Sequence, residues 1–193
     1  MNITHTHSGV LGEITDLLIQ LELEHHYRGW DNTPPSLYRV GRNNTGELDI
    51  IRAHLGMLEG LHPRVELARM AGAVRQRPAM AELIEAHFDG PPLAHLLIFE
   101  SWQHGSRTPE EHEADPRSLA DVPGSFEARC GIAVIGKTLM AVNRIRGEQP
   151  VLVDPTSDPT AGLVLQPGGL LASLVDYHQG ITAHWRGRLA NQN

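Results

Sequence analysis

Cysteine is almost absent from this chain of 193 residues, since Cys130 is the only one. A single cysteine excludes a disulfide within the chain and any zinc site built on several thiolates. Cys130 falls in an alternating apolar run, so we predict that its thiol packs in the core. The lack of disulfides is typical of a reducing compartment, and we expect a cytoplasmic protein.

Lysine is as scarce as cysteine. Lys137 is the only lysine among 16 basic residues, so the other fifteen are arginines, and the formal net charge is -7. General nucleic-acid binding needs clustered basic residues, and this balance does not predict it. No apolar run approaches the ~20 residues that span a bilayer and no leader-like succession opens the chain, so we expect no membrane association.

Recognisable catalytic motifs are also missing. The sequence has no helical His-x-x-x-His pair with a glutamate beside it, no Gly-x-Gly-x-x-Gly between strand and helix, no Walker-type loop and no Gly-x-Ser-x-Gly elbow. These absences favour a non-enzymatic protein, for which we expect no cofactor.

A β-hairpin signal over residues 126–146 is the strongest feature that is present. Two alternating apolar runs meet at a two-residue Gly136-Lys137 turn, which pairs residues whose numbers sum to 273. One face of the hairpin is then nearly all apolar. It carries Phe126, Ala128, Cys130, Ile132, Val134, Leu139, Ala141, Asn143 and Ile145.

The second face of the hairpin brings arginines together. In this register Arg129 lies opposite Arg144, and Arg146 lies one pleat away. Directly opposed like charges destabilise a strand pair, so something must neutralise them. One answer is protein carboxylates, and the other is an anionic ligand or an acidic partner, which guanidinium groups grip well. The second answer predicts that Arg144→Ala abolishes binding and leaves the fold intact. The candidate carboxylates are Glu100, Glu127 and Glu148.

Residues 29–40 leave a first helix and enter a strand, because two prolines force extended backbone. Within them Trp30, beside Asp31, is interpreted either as an aromatic that locks this corner or as a platform for a ligand. The candidate binding residues are therefore Arg129, Arg144, Arg146 and Trp30.

Apolar periodicity predicts the remaining elements. Helical spacing marks residues 9–26, 47–58, 63–77 and 79–88, and a final helix that Pro167 opens. Strand patterns mark residues 37–40, 94–102, 126–135, 138–146 and 150–153, the last at a sheet edge. Residues 1–8 form a flexible terminus and residues 103–124 a long surface loop.

These elements predict one α+β domain over residues 1–193. Its mostly antiparallel sheet has about five strands, and the N-terminal and C-terminal helices pack on its apolar face. The helices between residues 47 and 88 form a subsidiary layer.

Twelve histidines keep an alternative function open, a metal-dependent hydrolase that uses clustered histidines. THTH at residues 4–7 resembles the His-x-His of some metal-dependent hydrolases, although a frayed terminus suits it better. His25 closes the first helix, where a protonated ring interacts favourably with the helix C-terminus. The scattered candidates for a metal site are His54, His87, His95 and His178, of which the last is more typical of a hydrogen-bonded core residue.

The segment GWDNTPPSLYRV at residues 29–40 resembles the opening of uncharacterised actinobacterial and actinophage proteins, in which Gly-Trp-Asp-x-x-Pro-x-Leu-Tyr follows an N-terminal helix. IRGEQP at residues 145–150 is similar to an Arg-Gly-Glu-x-Pro piece of the same proteins. The resemblance implies an actinobacterial or phage origin and brings no activity with it.

The sequence therefore favours a non-enzymatic binding or protein-interaction module, with a phage or prophage factor as a special case. We expect a protein partner, and homo-oligomerisation through a sheet edge or the first helix is a further expectation.

Overall fold

The computed structural model describes residues 9–30, 34–43, 45–53, 63–85, 90–104, 119–153 and 169–191. Within these ranges the helices are α1 (Val10–Arg28), α2 (Pro63–Gln76), α3 (Met80–Ile84) and α4 (Leu170–Ala190), with a 3-10 turn at Leu119–Asp121. The strands are β1 (Ser36–Arg42), β2 (Leu48–Ala53), β3 (Ala94–His104), β4 (Ser125–Ile135), β5 (Thr138–Ile145) and β6 (Val151–Val153).

All six strands form one antiparallel sheet in the order β2-β1-β3-β4-β5-β6. The predicted α+β class is confirmed, and β6 lies at a sheet edge as expected. The hairpin register is also confirmed, because Ala128 pairs with Ile145 and Arg129 pairs with Arg144. A two-residue turn and two alternating faces leave a single register that suits both, which is why this local prediction succeeded.

The helix predicted over residues 47–58 is wrong where the structure describes it, because β2 occupies this part of the chain. Asn43 closes a tight turn: its side-chain oxygen accepts hydrogen bonds from the backbone N–H groups of Thr45 and Glu47, both at 3.0 Å. The chain then returns along β1, with Val40 opposite Ile50. Apolar spacing over a window this short does not separate a helix from chance. Pairing with the open edge of β1 therefore decided the structure of this segment.

The two faces of the sheet carry separate apolar cores. α2 and α4 pack over the face that holds Cys130, and α1 packs over the other face. The prediction that both terminal helices share one apolar face is therefore wrong. Gly131 explains the position of α1, since a Cβ there would lie 3.2 Å from Leu18 Cδ1 and 3.0 Å from Ile98 Cδ1. Small residues at the centre of the second face allow this close approach.

The remaining predictions differ from the structure mainly at boundaries. β3 continues to His104, two residues into the predicted loop, and residues 105–118 lie outside the described residues. Residues 1–8, with THTH, also lie outside them. The buried stripe of α4 is confirmed, with Leu174, Ile181 and Trp185 in the core. In the part of the chain that the structure describes, no helix has the length and apolar character that a bilayer span requires.

Candidate functional site

The three hairpin arginines lie on the α1 face of the sheet, and each has a carboxylate partner. The pairs are Arg129 with Glu100 at 2.5 Å, Arg144 with Glu22 at 2.7 Å and Arg146 with Glu127 at 2.7 Å. Neutralisation by protein carboxylates, the first of the two answers, is therefore confirmed. Glu148 supplies only its backbone carbonyl, which accepts from Arg144 Nη1 at 3.3 Å.

Arg144 and Glu22 form a two-point ion pair inside the protein. Arg144 Nε and Nη2 each donate to one carboxylate oxygen of Glu22 at 2.7 Å. Glu22 is 0% exposed and Arg144 is 4% exposed. Because Glu22 belongs to α1 and Arg144 to β5, the pair fastens the helix to the sheet. Arg144 supports a surface site from below and does not itself form part of that surface.

Arg129 is equally buried but less completely paired. Its Nη2 donates both to Glu100 Oε1 and to the backbone carbonyl of Gly29, each at 2.5 Å. Its Nε and Nη1 are buried without a hydrogen-bond partner among the described residues. Trp30 lies over the guanidinium, with Arg129 Cζ 4.4 Å from the ring centroid. α1 ends just before Gly29, whose φ of 104° turns the chain so that Trp30 reaches this position.

Trp30 also lies near Arg146, whose Cζ is 5.8 Å from the ring centroid. Of the three hairpin arginines only Arg146 reaches the surface, and its neighbouring carboxylates Glu127 and Glu100 are largely buried. The Arg146 side chain is 49% exposed, whereas those of Glu127 and Glu100 are 11% and 12% exposed. Trp102 shares this sheet face and is 41% exposed.

Two more arginines carry positive charge to the same region. Arg28 and Arg52 are exposed and have no carboxylate partner among the described residues. Both are close enough to His25 to act on its charge, as is Arg129. We name Arg28, Trp30, Arg52, Trp102 and Arg146 the arginine–tryptophan surface. It carries three arginines, on a chain whose formal net charge is -7.

His25 does not behave as the sequence suggested. Its Nε2 lies 2.9 Å from the hydroxyl of Tyr38, and the residue is only 2% exposed. Burial, together with the positive charges of Arg28, Arg129 and Arg52, lowers the pKa of His25 from 6.5 to about 4. The ring is therefore neutral near pH 7, and His25 does not supply the favourable charge predicted for the end of α1.

A second buried polar cluster lies on the other face of the sheet, centred on Glu85. One oxygen of Glu85 accepts from Arg39 Nε at 2.6 Å, and the other lies 2.6 Å from His95 Nε2. The Tyr177 hydroxyl donates to the second oxygen at 3.2 Å. Every member is at most 3% exposed, so this cluster ties β1, β3 and α4 together inside the protein.

The cluster continues through a second histidine to the hairpin turn. His95 Nδ1 lies 3.0 Å from His178 Nδ1, and the backbone N–H of Gly136 donates to His178 Nε2 at 3.2 Å. Because Nε2 accepts, a neutral His178 carries its proton on Nδ1 and donates it to His95. His95 then donates from Nε2 to Glu85. We name Glu85, His95, His178 and Gly136 the histidine chain, and it is satisfied with both rings neutral.

Burial sets the charge states around the histidine chain. Burial lowers the pKa of His178 from 6.5 to about 3. Burial alone would raise the pKa of Glu85, but the hydrogen bond from His95, and then the charge and hydrogen bond of Arg39, outweigh it and lower that pKa. Burial and the Glu85 carboxylate raise the pKa of Tyr177 well above its usual value of 10.0.

Two of the four histidines predicted as candidates for a metal site lie among the residues that the structure describes. His95 and His178 do meet, whereas His54 and His87 lie outside the described residues. Both rings use their nitrogens in the histidine chain. Among the described residues, no group of three or more His, Cys, Asp or Glu side chains has the arrangement that a metal ion needs.

Cys130 packs in the core as predicted, with 0% exposure. Burial raises the pKa of its thiol from 9.0 to about 12. The thiolate is the reacting form, so we expect the folded protein to react with Ellman's reagent at pH 8 at least about 10³-fold more slowly than the urea-unfolded chain. Rapid modification of the folded protein would contradict this burial.

An open groove of about 820 Å³ runs between α2, α3 and α4. Small residues form part of its floor, and at Gly180 a Cβ would lie 3.2 Å from Val74 Cγ1. Its rim holds Glu82, which pairs with His184 at 3.0 Å and Arg188 at 3.1 Å. None of the predicted binding residues lines this groove.

Sequence reasoning missed Glu22, Glu85 and Arg39. A signal existed for Glu22, because it lies four residues after Leu18 on the buried side of α1. A carboxylate in an apolar stripe needs a cation partner, so its position indicated an arginine on the facing strand. Arg39 lies between apolar neighbours of a buried strand and carried a similar signal. Nothing in the sequence pointed to Glu85.

The fold and the site together define a small α+β protein with a six-stranded antiparallel sheet, helices on both faces and a basic aromatic surface at one end. Comparison of the chain with protein-family models, curated proteins and solved structures found no match.

Proposed function

We propose that the protein is a non-enzymatic interaction module that binds an acidic partner protein through the arginine–tryptophan surface. The observation that carries this proposal is the placement of Trp30, which lies 4.4 Å from the Arg129 guanidinium and 5.8 Å from that of Arg146. Tryptophan and arginine are the residues that most often dominate binding energy at protein interfaces. Here a tryptophan and an arginine, Trp30 and Arg146, are both partly exposed, and buried ion pairs lie beneath them.

The ion pairs beneath the surface favour binding by holding the arginines of its base in place. Glu100 and Glu22 fix Arg129 and Arg144, and Arg129 lies beneath Trp30. A partner therefore meets a base that is already ordered, which reduces the entropy lost on association. The surface favours an acidic partner because the Arg146 guanidinium is exposed while the carboxylates of Glu127 and Glu100 beside it are largely buried.

Origin, compartment and self-association remain proposals of the same kind. The resemblance at residues 29–40 supports an actinobacterial or phage origin, and a reduced, buried Cys130 supports the cytoplasm. The outer edges of β2 and β6 have no strand beside them in the part of the chain that the structure describes. An open edge is a site where a second copy pairs, which supports the expected homo-oligomer.

The test is a titration with a pentaglutamate peptide, followed by intrinsic tryptophan fluorescence. Trp30 and Trp102 belong to the surface, whereas Trp185 is 4% exposed in the opposite core. We expect saturable quenching in the wild-type protein that weakens as salt is added. Arg28→Glu and Arg52→Glu should each raise the Kd by about tenfold, because each replaces an attraction by a repulsion.

Lys137→Glu is the matched control, because it makes the same change of charge at the exposed hairpin turn, away from Trp30. Its Kd should equal that of the wild type, and pentaglutamine should not quench. Equal weakening by Lys137→Glu and Arg28→Glu would show that only net charge matters, and the proposed surface would then be wrong.

A further inference from the structure

Arg129 carries two unused hydrogen-bond donors in the interior, directly beneath the arginine–tryptophan surface. The residue is 0% exposed, and its Nε and Nη1 are buried without partners in the part of the chain that the structure describes. Arginine has five N–H donors, and a buried donor without an acceptor is costly to the fold. An acceptor that arrives on binding would satisfy such a donor.

The neighbouring Arg144 makes more of its possible hydrogen bonds than Arg129 does. It lies opposite Arg129 and grips both oxygens of Glu22 through Nε and Nη2 at 2.7 Å. Arg129 instead uses Nη2 alone, shared between Glu100 and the Gly29 carbonyl. A small rotation of Glu100 toward the same two-point grip would serve Nε. Nη1 would still lack an acceptor.

We propose that the acidic partner places one carboxylate side chain beside Trp30, where it accepts from Arg129 Nη1. This inference rests on the proposed function and names the group that the surface selects. Trp30 is only half-buried, and its ring centroid lies 4.4 Å from Arg129 Cζ, so this ring covers the guanidinium. A displacement of this ring opens the path to Nη1.

The chemistry favours a carboxylate over a phosphate at this position. Glu100 already places one negative charge on the same guanidinium at 2.5 Å. A second singly charged, planar group matches a guanidinium edge, whereas a dianion beside Glu100 would suffer stronger repulsion and lose more hydration on burial. The partner residue is therefore an aspartate or a glutamate.

The test is nitrogen-15 NMR of the arginine side chains in the wild-type protein, with and without the pentaglutamate peptide. No variant is needed, because the Nε–H signals are assigned through their own side-chain correlations. We expect the peptide to shift the Arg129 Nη1 proton signals downfield, because these protons gain a charged acceptor. The Arg144 signals are the internal control and should not change, because Glu22 already holds that side chain.

Two results would overturn the inference and leave the proposed function standing. The first is an Arg129 whose Nη1 proton signals already lie at the downfield position in the free protein, since these donors would then have an acceptor within the chain. The second is tryptophan quenching by pentaglutamate with unchanged Arg129 signals, since the peptide would then bind only at the surface. If the peptide does not bind at all, the proposed function fails and this inference fails with it.

Discussion

Arg144→Ala is expected to lower the free energy of unfolding by about 3–5 kcal/mol, the usual cost of breaking a buried ion pair from one side. The substitution removes both donors of Glu22 and leaves a carboxylate that is 0% exposed inside an apolar interface. Urea denaturation at pH 7 measures the change. The ligand answer drawn from the sequence predicts that this variant keeps the fold intact, whereas the burial of the pair favours a loss of stability.

Two further variants separate the ion pair from simple loss of side-chain volume. Glu22→Leu combined with Arg144→Met replaces both charges by apolar groups of similar size, and it should cost less than Arg144→Ala alone. Arg42→Ala is the exposed control, because its pair with Glu13 is 2.7 Å long but 35% and 46% exposed. That variant should change stability by at most about 1 kcal/mol. Equal effects of Arg42→Ala and Arg144→Ala would contradict the buried pair.

Acid is expected to destabilise the protein well above the range in which carboxylates titrate. His178 and His25 have folded-state pKa values of about 3 and about 4, against 6.5 when unfolded. Below pH 6.5 the unfolded chain binds protons that the folded chain does not, so stability is fully present above that pH and falls as the pH is lowered. The loss ends near pH 4 for His25 and near pH 3 for His178.

The size of this effect follows from the same two residues. Each shifted histidine contributes about 1.4 kcal/mol per pH unit across its window, so between pH 6.5 and pH 4.5 the two together remove about 5 kcal/mol. That is comparable with the whole stability of many domains. The geometry of the histidine chain gives the reason at His178. A second proton on its ring would face the Gly136 N–H, which already donates to Nε2.

Urea denaturation at a series of pH values tests this expectation, with the slope at pH 5 giving the protons taken up on unfolding. At pH 5 the unfolded wild type should bind about two more protons than the folded form, and His178→Gln should reduce this difference by about one. Glutamine retains an acceptor for Gly136 and a donor for His95, so the variant keeps the chain of hydrogen bonds while removing the titration. A flat stability profile between pH 7 and pH 5 would show that these rings are accessible to protons in the folded state.

The parts of the fold that the sequence predicts correctly depend on residues that are close together in the chain. The hairpin register followed from a turn and two alternating runs that lie within 21 residues of each other, over residues 126–146. The stripes of α1 and α4 followed from helical spacing in the same way. The helix predicted over residues 47–58 failed because its outcome depended on the open edge of β1, which periodicity does not report.

The candidate site was reached only in part from the sequence. The opposition of Arg129 and Arg144 is a local consequence of the hairpin, so it was predicted before their partners were known. The sequence predicts Trp30 either as an aromatic that locks a corner or as a platform for a ligand. It does not predict that Trp30 lies over Arg129. Arg28 and Arg52 were missed because their role depends on how the end of α1 and β2 come together beside His25.

The sequence alone determined the hairpin and its register, the amphipathic stripes, the buried cysteine and the clustering of arginines on one strand pair, because each of these depends on residues close together in the chain. The tertiary structure alone decided which face α1 covers, and it supplied Glu22 to Arg144 from 122 residues away and His178 to His95 from 83 residues away. Hydrogen bonds and ion pairs act over a few ångströms whatever the separation along the chain. Only the folded chain brings these groups within that distance.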